Sequence, residues 1–440
     1  MIDPRLLKDD PERIRQMLIQ RNLSFPLDEL LVLDKKRRTL MSESDLSRHR
    51  KNVIAQTIAR KMKTKANCSE ELREMKSLGD RILKLGKDLE ETDSNFKHLM
   101  MSLPNLVSSS VPVGANQQDN VVIRSIGAPS KFDFAPLDHV DLGTKLDLFD
   151  LERAAKISGS RFYFLKNVLV KLNIGLLQFA LDFLQDQGYV LVQPPYMIRR
   201  EPMEGAVILE DFEHVIYKIH GEDLHMIGTS EHAMAAMHMD EILEGASLPL
   251  KYASISPCFR KEAGAHGKDT KGIFRVHHFD KVEQFIFTRP EDSEKEHQRM
   301  VEFAEKFYEK LGIPIRTVLL CTGDMGKTST KTYDVEAWMP GQDCYREIVS
   351  SSNCLDYQSR RLRIRFRDRP DEETRLVHTL NSTLVATGRT LVAIIENFQQ
   401  ADGTIGIPDP LKKYVGIDEI CAADKDSDND TVNLSRYTVH

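Results

Sequence analysis

The sequence predicts an α+β fold in which an N-terminal pair of long helices precedes a larger domain of strands and helices. Two observations predict the helical pair: residues 28–101 contain no proline, and apolar side chains recur there at heptad spacing. A third observation predicts the second domain, because short strand-like runs alternate with helical patterns over residues 121–417. No GxGxxG motif follows a strand in that region, so a parallel dinucleotide-binding sheet is disfavoured.

Length, composition and charge are those of a soluble globular protein. The 440 residues are 41% hydrophobic and 29% charged, which allows about two to three domains. A net charge of −6 predicts neither nucleic-acid nor membrane binding, so any basic surface must be local. The charged N-terminus does not resemble a signal peptide, and no apolar run reaches the roughly 18 residues of a membrane span. We therefore expect a cytoplasmic protein with no membrane partner.

The first predicted domain covers residues 1–104. Asp10 before Pro11 is a typical helix start, which predicts a short helix over Pro11–Gln20. Residues 28–101 then predict two long helices with a break near residues 64–68. We expect the two helices to pair antiparallel as a projecting coiled coil. The heptad seam of the second helix is formed by Met75, Leu78, Ile82, Leu85, Leu89, Thr92, Phe96 and Leu99.

The outer half of this hairpin carries a cluster of basic residues in a stretch, residues 48–65, that has no acidic residue. Charged helix faces are usually just solvated, and that interpretation stays open. On a protruding hairpin, however, an unbalanced basic cluster suits the phosphate backbone of helical RNA. The cluster consists of Arg48, Arg50, Lys51, Arg60, Lys61, Lys63 and Lys65.

Three further segments complete the predicted domain organisation. Residues 105–120 are polar with serine and glycine, which is typical of a linker. Residues 121–417 form the second domain. Residues 418–440 are acidic and polar, and we expect them to be a disordered tail.

One pair of predicted strands, residues 253–262 and 274–287, concentrates charged and aromatic side chains. Because side chains alternate along a strand, Arg260 and Glu262 should share one face, as should Arg275, Phe279 and Glu283. These groups could form cross-strand ion pairs on a solvated sheet. They also match the needs of a site that binds ATP and activates a carboxylate: guanidinium groups for phosphates, a ring for adenine and carboxylates for amines.

Five long segments, beginning at Asp186, Gly228, Phe259, Tyr345 and Leu376, carry a resemblance to a known family. They resemble segments of class II aminoacyl-tRNA synthetases, and specifically of the seryl-tRNA synthetase family, and the similarity extends from the N-terminal helical hairpin, called the arm below, to about residue 417. The motif 2 of that family resembles FRKEAGAHGKDTKGIFRVHHFDKVEQF, and its amino-acid loop resembles GTSEHAMAAMH. Its metal-binding strand resembles YREIVSSSNCLDYQSRRLRIRFR. Its motif 3 and C-terminal segment resemble LVHTLNSTLVATGRTLVAIIENFQQADGTIGIPDPLKKYV, and its motif 1 resembles DQGYVLVQPPY.

This resemblance implies a fold and a set of site residues. The catalytic domain would be an antiparallel sheet flanked by helices, with motif 1 and its Pro195 at a homodimer interface. Arg260, Arg275 and Arg389 would stabilise charge during catalysis, and Glu347 and Ser350 would bind Mg²⁺. The implied ATP-binding residues are Arg260, Glu262, Arg275, Val276, Phe279, Glu347, Ser350 and Arg389. The implied serine-binding residues are Thr229, Glu231, Arg260, Glu283, Asn381 and Thr383.

Two spacings bear on these assignments. Asn381 and Thr383 are two residues apart and would point the same way on a strand. Glu347 and Ser350 are three apart and would not share a face of a regular strand, so we expect an irregularity between them. The adjacent pair His277 and His278 has no accompanying cysteine–histidine ligand set, so no zinc is expected.

The implied activity is ATP-dependent attachment of serine to tRNA(Ser) through a seryl-adenylate. The helical arm of one subunit would bind the tRNA, and the acceptor end of that tRNA would enter the active site of the other subunit. The resemblance leaves open whether a selenocysteine tRNA, tRNA(Sec), is a second substrate.

Three alternative functions fit the sequence less well than this activity. A threonine-specific synthetase is disfavoured by Glu283, Asn381 and Thr383 and by the lack of zinc ligands. A non-catalytic paralogue would not need Arg260, Glu347 or the other nucleotide-binding residues. A ligase acting on carrier proteins should lack the basic arm.

Overall fold

The computed structural model describes residues 1–262 and 271–422, and the chain divides into two compact units, the first ending at Pro104 and the second beginning at Asn105. The helices are α1 (Leu6–Asp9), α2 (Pro11–Gln20), α3 (Leu27–Lys63), α4 (Ser69–Ser102), α5 (His139–Lys145), α6 (Leu151–Ser158), α7 (Val168–Asp186), α8 (Arg200–Ala206), α9 (Leu209–Phe212), α10 (Glu231–Ala235), α11 (Ser293–Leu311), α12 (Tyr357–Leu362), α13 (Thr387–Asn397) and α14 (Asp409–Val415).

The strands of the described residues all belong to the larger unit. They are β1 (Val121–Ile126), β2 (Phe149–Asp150), β3 (Phe164–Leu165), β4 (Val190–Val192), β5 (Met197–Ile198), β6 (His225–Met226), β7 (Ile242–Glu244), β8 (Leu250–Phe259), β9 (His278–Thr288), β10 (Ile315–Leu319), β11 (Lys331–Met339), β12 (Cys344–Leu355), β13 (Arg365–Arg367), β14 (Arg375–Leu376), β15 (His378–Ala386), β16 (Ile405–Gly406) and β17 (Glu419–Ile420).

The helices of the N-terminal unit lie where the sequence predicts them. Helix α2 spans the predicted residues, and the Asp10 carboxylate caps it by accepting a hydrogen bond from the Arg13 amide at 3.1 Å. Helices α3 and α4 flank the predicted break near residues 64–68. The predicted short helix and the long helical pair are therefore confirmed.

Apolar burial and ion pairs join α3 to α4. Ile54 of α3 and Leu85 and Phe96 of α4 are buried although each helix is largely solvated. Arg37 donates to Asp93 on the opposite helix. The seam therefore stabilises an antiparallel hairpin, as the heptad spacing indicates.

The larger unit is built on an eight-stranded sheet in the order β1-β10-β11-β12-β15-β9-β8-β4. Neighbouring strands are antiparallel except β4 and β8, which are parallel. Helices α7, α11 and α13 contribute buried apolar residues to the same core as the sheet. The predicted α+β fold with a mainly antiparallel sheet is confirmed.

Helix α7 is long and apolar enough to cross a membrane by length and composition alone. Its residues Leu169, Leu172, Leu176 and Leu184 are fully buried in the core of the larger unit. The apolar character of α7 is thus accounted for by packing against the sheet and its neighbours.

The predicted linker and the predicted tail each include residues that are part of the folded larger unit. Asn105, at the start of the predicted linker, is buried and donates hydrogen bonds to the carbonyl groups of Thr328 and Cys354, both at 2.9 Å. The predicted tail begins too early, because strand β17 pairs with β16 and places Ile420 in the core. The rest of that tail, residues 423–440, lies outside the described residues.

Candidate active site

A cavity of about 1040 Å³ opens on the central sheet of the larger unit. This volume suits a ligand larger than a typical small molecule. Every residue predicted to bind ATP or serine lines the cavity, although these residues come from segments more than 150 positions apart. They are Thr229, Glu231, Arg260, Glu262, Arg275, Val276, Phe279, Glu283, Glu347, Ser350, Asn381, Thr383 and Arg389.

The two predicted strands around this cavity stop short of the loop that joins them, so their loop-side ends differ from expectation. Strand β8 ends at Phe259 and β9 begins at His278, so Arg260, Glu262 and Arg275 lie outside regular strand structure. The Lys261 amide bonds the Val215 carbonyl instead of continuing the ladder, and Glu262 has a φ of 47°. The expected strand alternation is therefore wrong at these three residues. A turn of the backbone brings them to the cavity.

Regular alternation does hold on β15. Asn381 and Thr383 both line the cavity, whereas Ser382 between them is fully buried. Thr383 lies directly opposite Glu283 of β9 in the strand pairing. The predicted shared face of Asn381 and Thr383 is confirmed.

The irregularity expected between Glu347 and Ser350 is a β-bulge. Val349 pairs with Val335, but the next pair joins Glu347 to Glu336, so Ile348 is an extra residue on β12. Both Glu347 and Ser350 consequently face the cavity.

Asp334 completes an oxygen-rich corner that the sequence reasoning missed. It lies opposite Ser350 on β11, and its Oδ1 is buried with no hydrogen-bond partner among the described residues. Burial and the nearby charge of Glu347 raise the pKa of Asp334 well above its usual value. Its position opposite Ser350 follows from the pairing of β11 with β12, which the sequence alone did not give.

These oxygens could hold a hard divalent cation. Mg²⁺ prefers carboxylate and hydroxyl oxygens, and an orphaned buried carboxylate oxygen is a ready acceptor for it. Glu347 also accepts from Arg389 Nη1 at 3.1 Å. Burial would raise the pKa of Glu347, but Arg389 outweighs it and the pKa is lowered. Residues 1–262 and 271–422 contain no cluster of three or more histidine, cysteine or acidic side chains with metal-binding geometry.

The other end of the cavity holds a buried carboxylate, Glu283, a half-buried carboxylate, Glu231, and a buried ammonium, Lys281. Glu231 accepts hydrogen bonds from the side-chain amides of Gln358 at 2.9 Å and Asn381 at 3.0 Å. Burial and then the charge of Glu283 raise the pKa of Glu231 to about 7. Burial acts the same way on Glu283, but the Lys281 ammonium outweighs it and lowers the pKa of that carboxyl.

Lys281 was also missed from the sequence. It lies between Phe279 and Glu283 at intervals of two on β9, so strand alternation already placed it on their face. The corner formed by Glu231, Lys281 and Glu283 can accept one further cationic group, because its carboxylates outnumber its ammonium by one.

Arginine and aromatic side chains stack in the middle of the cavity. The Arg260 guanidinium lies 5.4 Å from the Phe279 ring centroid, and its Nε donates to the Gly228 carbonyl at 2.9 Å. Arg389 lies 5.2 Å from the ring centroid of Phe274, another residue that the sequence reasoning missed. Arginines aligned with aromatic rings offer charge for phosphates beside a planar surface for a base.

The histidines near the site make hydrogen bonds within the protein. His277 Nδ1 lies 2.8 Å from the Arg260 carbonyl and 3.1 Å from the Tyr217 hydroxyl. His232 is buried, which lowers its pKa to about 3, and its Nδ1 accepts from the Gly228 amide. The His277 contact holds the backbone of Arg260, and the His232 contact holds Gly228, whose carbonyl accepts from the Arg260 side chain.

Comparison with known proteins identifies the family. The model of the seryl-tRNA synthetase N-terminal domain matches residues 1–107, and that of the tRNA synthetase class II core domain (G, H, P, S and T) matches residues 215–398. A serine–tRNA ligase from Nitrosopumilus maritimus is 59% identical over 416 residues, covering 94% of this chain and 99% of its own. The chain belongs to the seryl-tRNA synthetase family. The predicted class II synthetase, a serine–tRNA ligase, is thereby confirmed.

Solved structures resemble the synthetase over almost its full length. The seryl-tRNA synthetase of Pyrococcus horikoshii, complexed with ATP, has a TM-score of 0.92 and 46% identity, covering 96% of this chain and 100% of its own. The cytoplasmic serine–tRNA ligase of Naegleria fowleri, in complex with AMP, has a TM-score of 0.86 and 32% identity, covering 96% and 98%. The fold of this synthetase is therefore that of its family.

Proposed function

We propose that this synthetase activates serine with ATP and transfers it to tRNA(Ser), acting as a cytoplasmic homodimer. The observation that carries the proposal is the convergence of every predicted ATP and serine residue on one cavity. The names of the relatives support the same activity. The proposal is confined to tRNA(Ser) and does not include tRNA(Sec).

In the first step, an oxygen of the serine carboxylate attacks the α-phosphorus of ATP. The new P–O bond forms as the bond to the β-phosphate oxygen breaks, which gives seryl-adenylate and pyrophosphate. Arg260 would bind the serine carboxylate and the α-phosphate, and Arg275 and Arg389 would bind the outer phosphates. Phe279 would stack on adenine, and Glu262 would accept from its amino group. Catalysis then depends on positioning and charge stabilisation.

The oxygen-rich corner would hold Mg²⁺ through Glu347 and Ser350, with Asp334 beside them. Bound there, the cation supplies positive charge for the phosphate oxygens. The bulge at Ile348 positions both ligands, because it turns Glu347 and Ser350 towards the cavity.

In the second step, a hydroxyl of the 3′-terminal ribose of tRNA attacks the seryl carbonyl and AMP leaves. The coiled-coil arm would bind the tRNA through its basic cluster. Dimerisation through motif 1 would bring the arm of one subunit to the site of its partner. Exposed Pro195 and the exposed apolar side chains Ile174, Val190 and Leu191 lie in or near that motif.

The decisive test is ATP–pyrophosphate exchange with each amino acid in turn, in the presence of Mg²⁺ and without tRNA. We expect exchange with serine, and at least roughly 10³-fold lower kcat/KM with alanine, because the polar groups of the pocket would be left unpaired. Exchange with threonine and not with serine would show that the pocket is specific for threonine. Absence of exchange with every amino acid, from folded protein, would favour a non-catalytic paralogue.

The kcat/KM for serine should depend on pH because Glu231 titrates in the neutral range. Its carboxylate must be ionised to receive the serine ammonium, and its pKa is raised to about 7 by burial and by Glu283. We therefore expect kcat/KM for serine to fall by about tenfold per pH unit below pH 7 and to level off above it. Steady-state exchange from pH 6 to 8.5 measures this.

The matched control for the pH profile is Glu231→Gln. This variant should have a lower kcat/KM and no inflection near pH 7. An unchanged inflection in the variant would assign the titration to another group.

A further inference from the structure

We propose that Lys281 is a positioning and specificity residue of the serine pocket. Its ammonium holds Glu283 and Thr229 in the geometry that receives the serine side chain, and leaves Glu231 to balance the amino group of the substrate. The inference rests on the proposed function, since it assigns a role within the same pocket.

The burial of Lys281 is the first argument. The residue is 5% exposed, and lysine is almost never this deeply buried without charged or polar partners. Its Nζ lies 2.5 Å from Glu283 Oε1 and donates to Thr229 Oγ1 at 2.7 Å. Both partners belong to the predicted serine set, so the ammonium is part of the pocket wall.

The hydrogen bonds of Glu283 show what the ammonium fixes. Glu283 Oε2 accepts from the hydroxyl groups of Thr229, at 2.6 Å, and Ser230, and from the Glu231 amide at 3.2 Å. The other oxygen of this carboxylate, Oε1, pairs with the Lys281 ammonium. A carboxylate oxygen has two lone pairs, so Oε1 keeps one for a substrate hydroxyl.

Thr229 is oriented by the same set of bonds. Its hydroxyl donates to Glu283 and accepts from Lys281 and from the Glu231 amide. The proton of that hydroxyl is therefore committed to Glu283. Without the ammonium, both the direction of the Thr229 hydroxyl and the orientation of the Glu283 carboxylate lose a constraint.

The charges in the pocket lead to the same role. Glu231 and Glu283 would carry two negative charges, and Lys281 carries one positive charge. The remaining negative charge matches the single ammonium of an amino acid. Removing Lys281 would take the neighbouring ammonium away from Glu231 and from the buried Glu283, which disfavours the ionised state on which serine binding depends.

The test compares Lys281→Met and Lys281→Arg in serine-dependent ATP–pyrophosphate exchange. We expect Lys281→Met to raise the KM for serine by about 10²-fold and to leave the KM for ATP within about twofold. The ratio of kcat/KM for serine over alanine should fall at least about tenfold, because the hydroxyl acceptor is misplaced. Lys281→Arg keeps the charge and should recover part of both losses.

Lys331→Met is the matched control. Lys331 is also a buried lysine, 6% exposed, and its Nζ donates to Glu294 at 2.6 Å, but it does not line the cavity. This variant should lose stability in thermal unfolding while keeping the wild-type KM for serine and the wild-type selectivity. If Lys281→Met does not fold, Lys281→Gln provides the same comparison.

Two results would overturn the inference. One is a Lys281 variant with unchanged KM for serine and unchanged selectivity while the wild type exchanges with serine; the proposed function would then stand. The other is a wild type without serine-dependent exchange, in which case the proposed function fails as well.

Discussion

Arg260→Ala should lower serine-dependent ATP–pyrophosphate exchange by about 10²–10³-fold in kcat, the loss typical of removing one transition-state hydrogen-bond donor. The side chain is held between the Gly228 carbonyl and the Phe279 ring, so its guanidinium is fixed before substrates bind. The interaction of such a preorganised charge with the substrate is stronger in the transition state than in the ground state. Removing the charge should therefore lower kcat.

The matched control is Arg363→Ala. Arg363 pairs with Asp240 and Glu201 on the surface, and an exposed pair of this kind stabilises a protein by about 1 kcal/mol or less. Exchange by this variant should stay within about twofold of wild type. Arg260→Lys should be intermediate, because lysine keeps the charge but not the planar fork. A loss below fivefold in Arg260→Ala would remove Arg260 from the proposed mechanism.

Local signals predicted the N-terminal unit well because each depends on residues close in sequence. Asp10 and Pro11 define the start of α2 through a cap and a fixed φ angle, and the structure shows both. The heptad spacing from Met75 to Leu99 likewise indicates which face of α4 is buried, since that face follows from the helical repeat.

The motifs predicted the candidate site residues, whereas the geometry of these residues depends on the folded chain. Arg260 and Glu262 reach the cavity because the backbone leaves β8 at Phe259, and strand alternation could not show this. Lys281 pairs with Glu283 on its own strand, but it also donates to Thr229, which lies 52 positions away outside β9. Sequence position alone therefore indicated the face of Lys281 and not its partners.

The partners of the basic cluster on the arm also could not be predicted from the sequence alone. Arg50 donates to Glu74 of α4 at 2.8 Å, and Lys61 pairs with Glu71. The stretch 48–65 has no acidic residue of its own, but the opposite helix supplies two. Arg48, Lys51, Arg60, Lys63 and Lys65 are therefore the stronger candidates for contact with phosphates.

Shortening the arm should abolish tRNA charging and leave serine activation intact. Arg50 pairs with Glu74 and Arg81 with Glu43, so residues 48 and 76 lie opposite each other on α3 and α4. Replacing residues 48–76 by a short glycine–serine turn keeps the inner hairpin and its buried Leu85 and Phe96. We expect aminoacylation of tRNA to fall by at least about 10²-fold, because several phosphate contacts are lost together. ATP–pyrophosphate exchange should stay within about twofold of wild type, since the cavity belongs to the other unit.

A charge-only variant separates the loss of contacts from the loss of the hairpin. Lys51→Gln, Arg60→Gln and Lys63→Gln together keep the helices but remove three positive charges, so the KM for tRNA should rise and its dependence on salt should become weaker. The matched control replaces the exposed lysines Lys295, Lys306 and Lys310 of α11 by glutamine, which removes the same charge from the larger unit. Equal effects of the two triple variants would indicate that net charge, and not the arm, attracts tRNA. If the shortened arm lost pyrophosphate exchange together with charging, the arm and the catalytic cavity would not have the separate roles proposed for them.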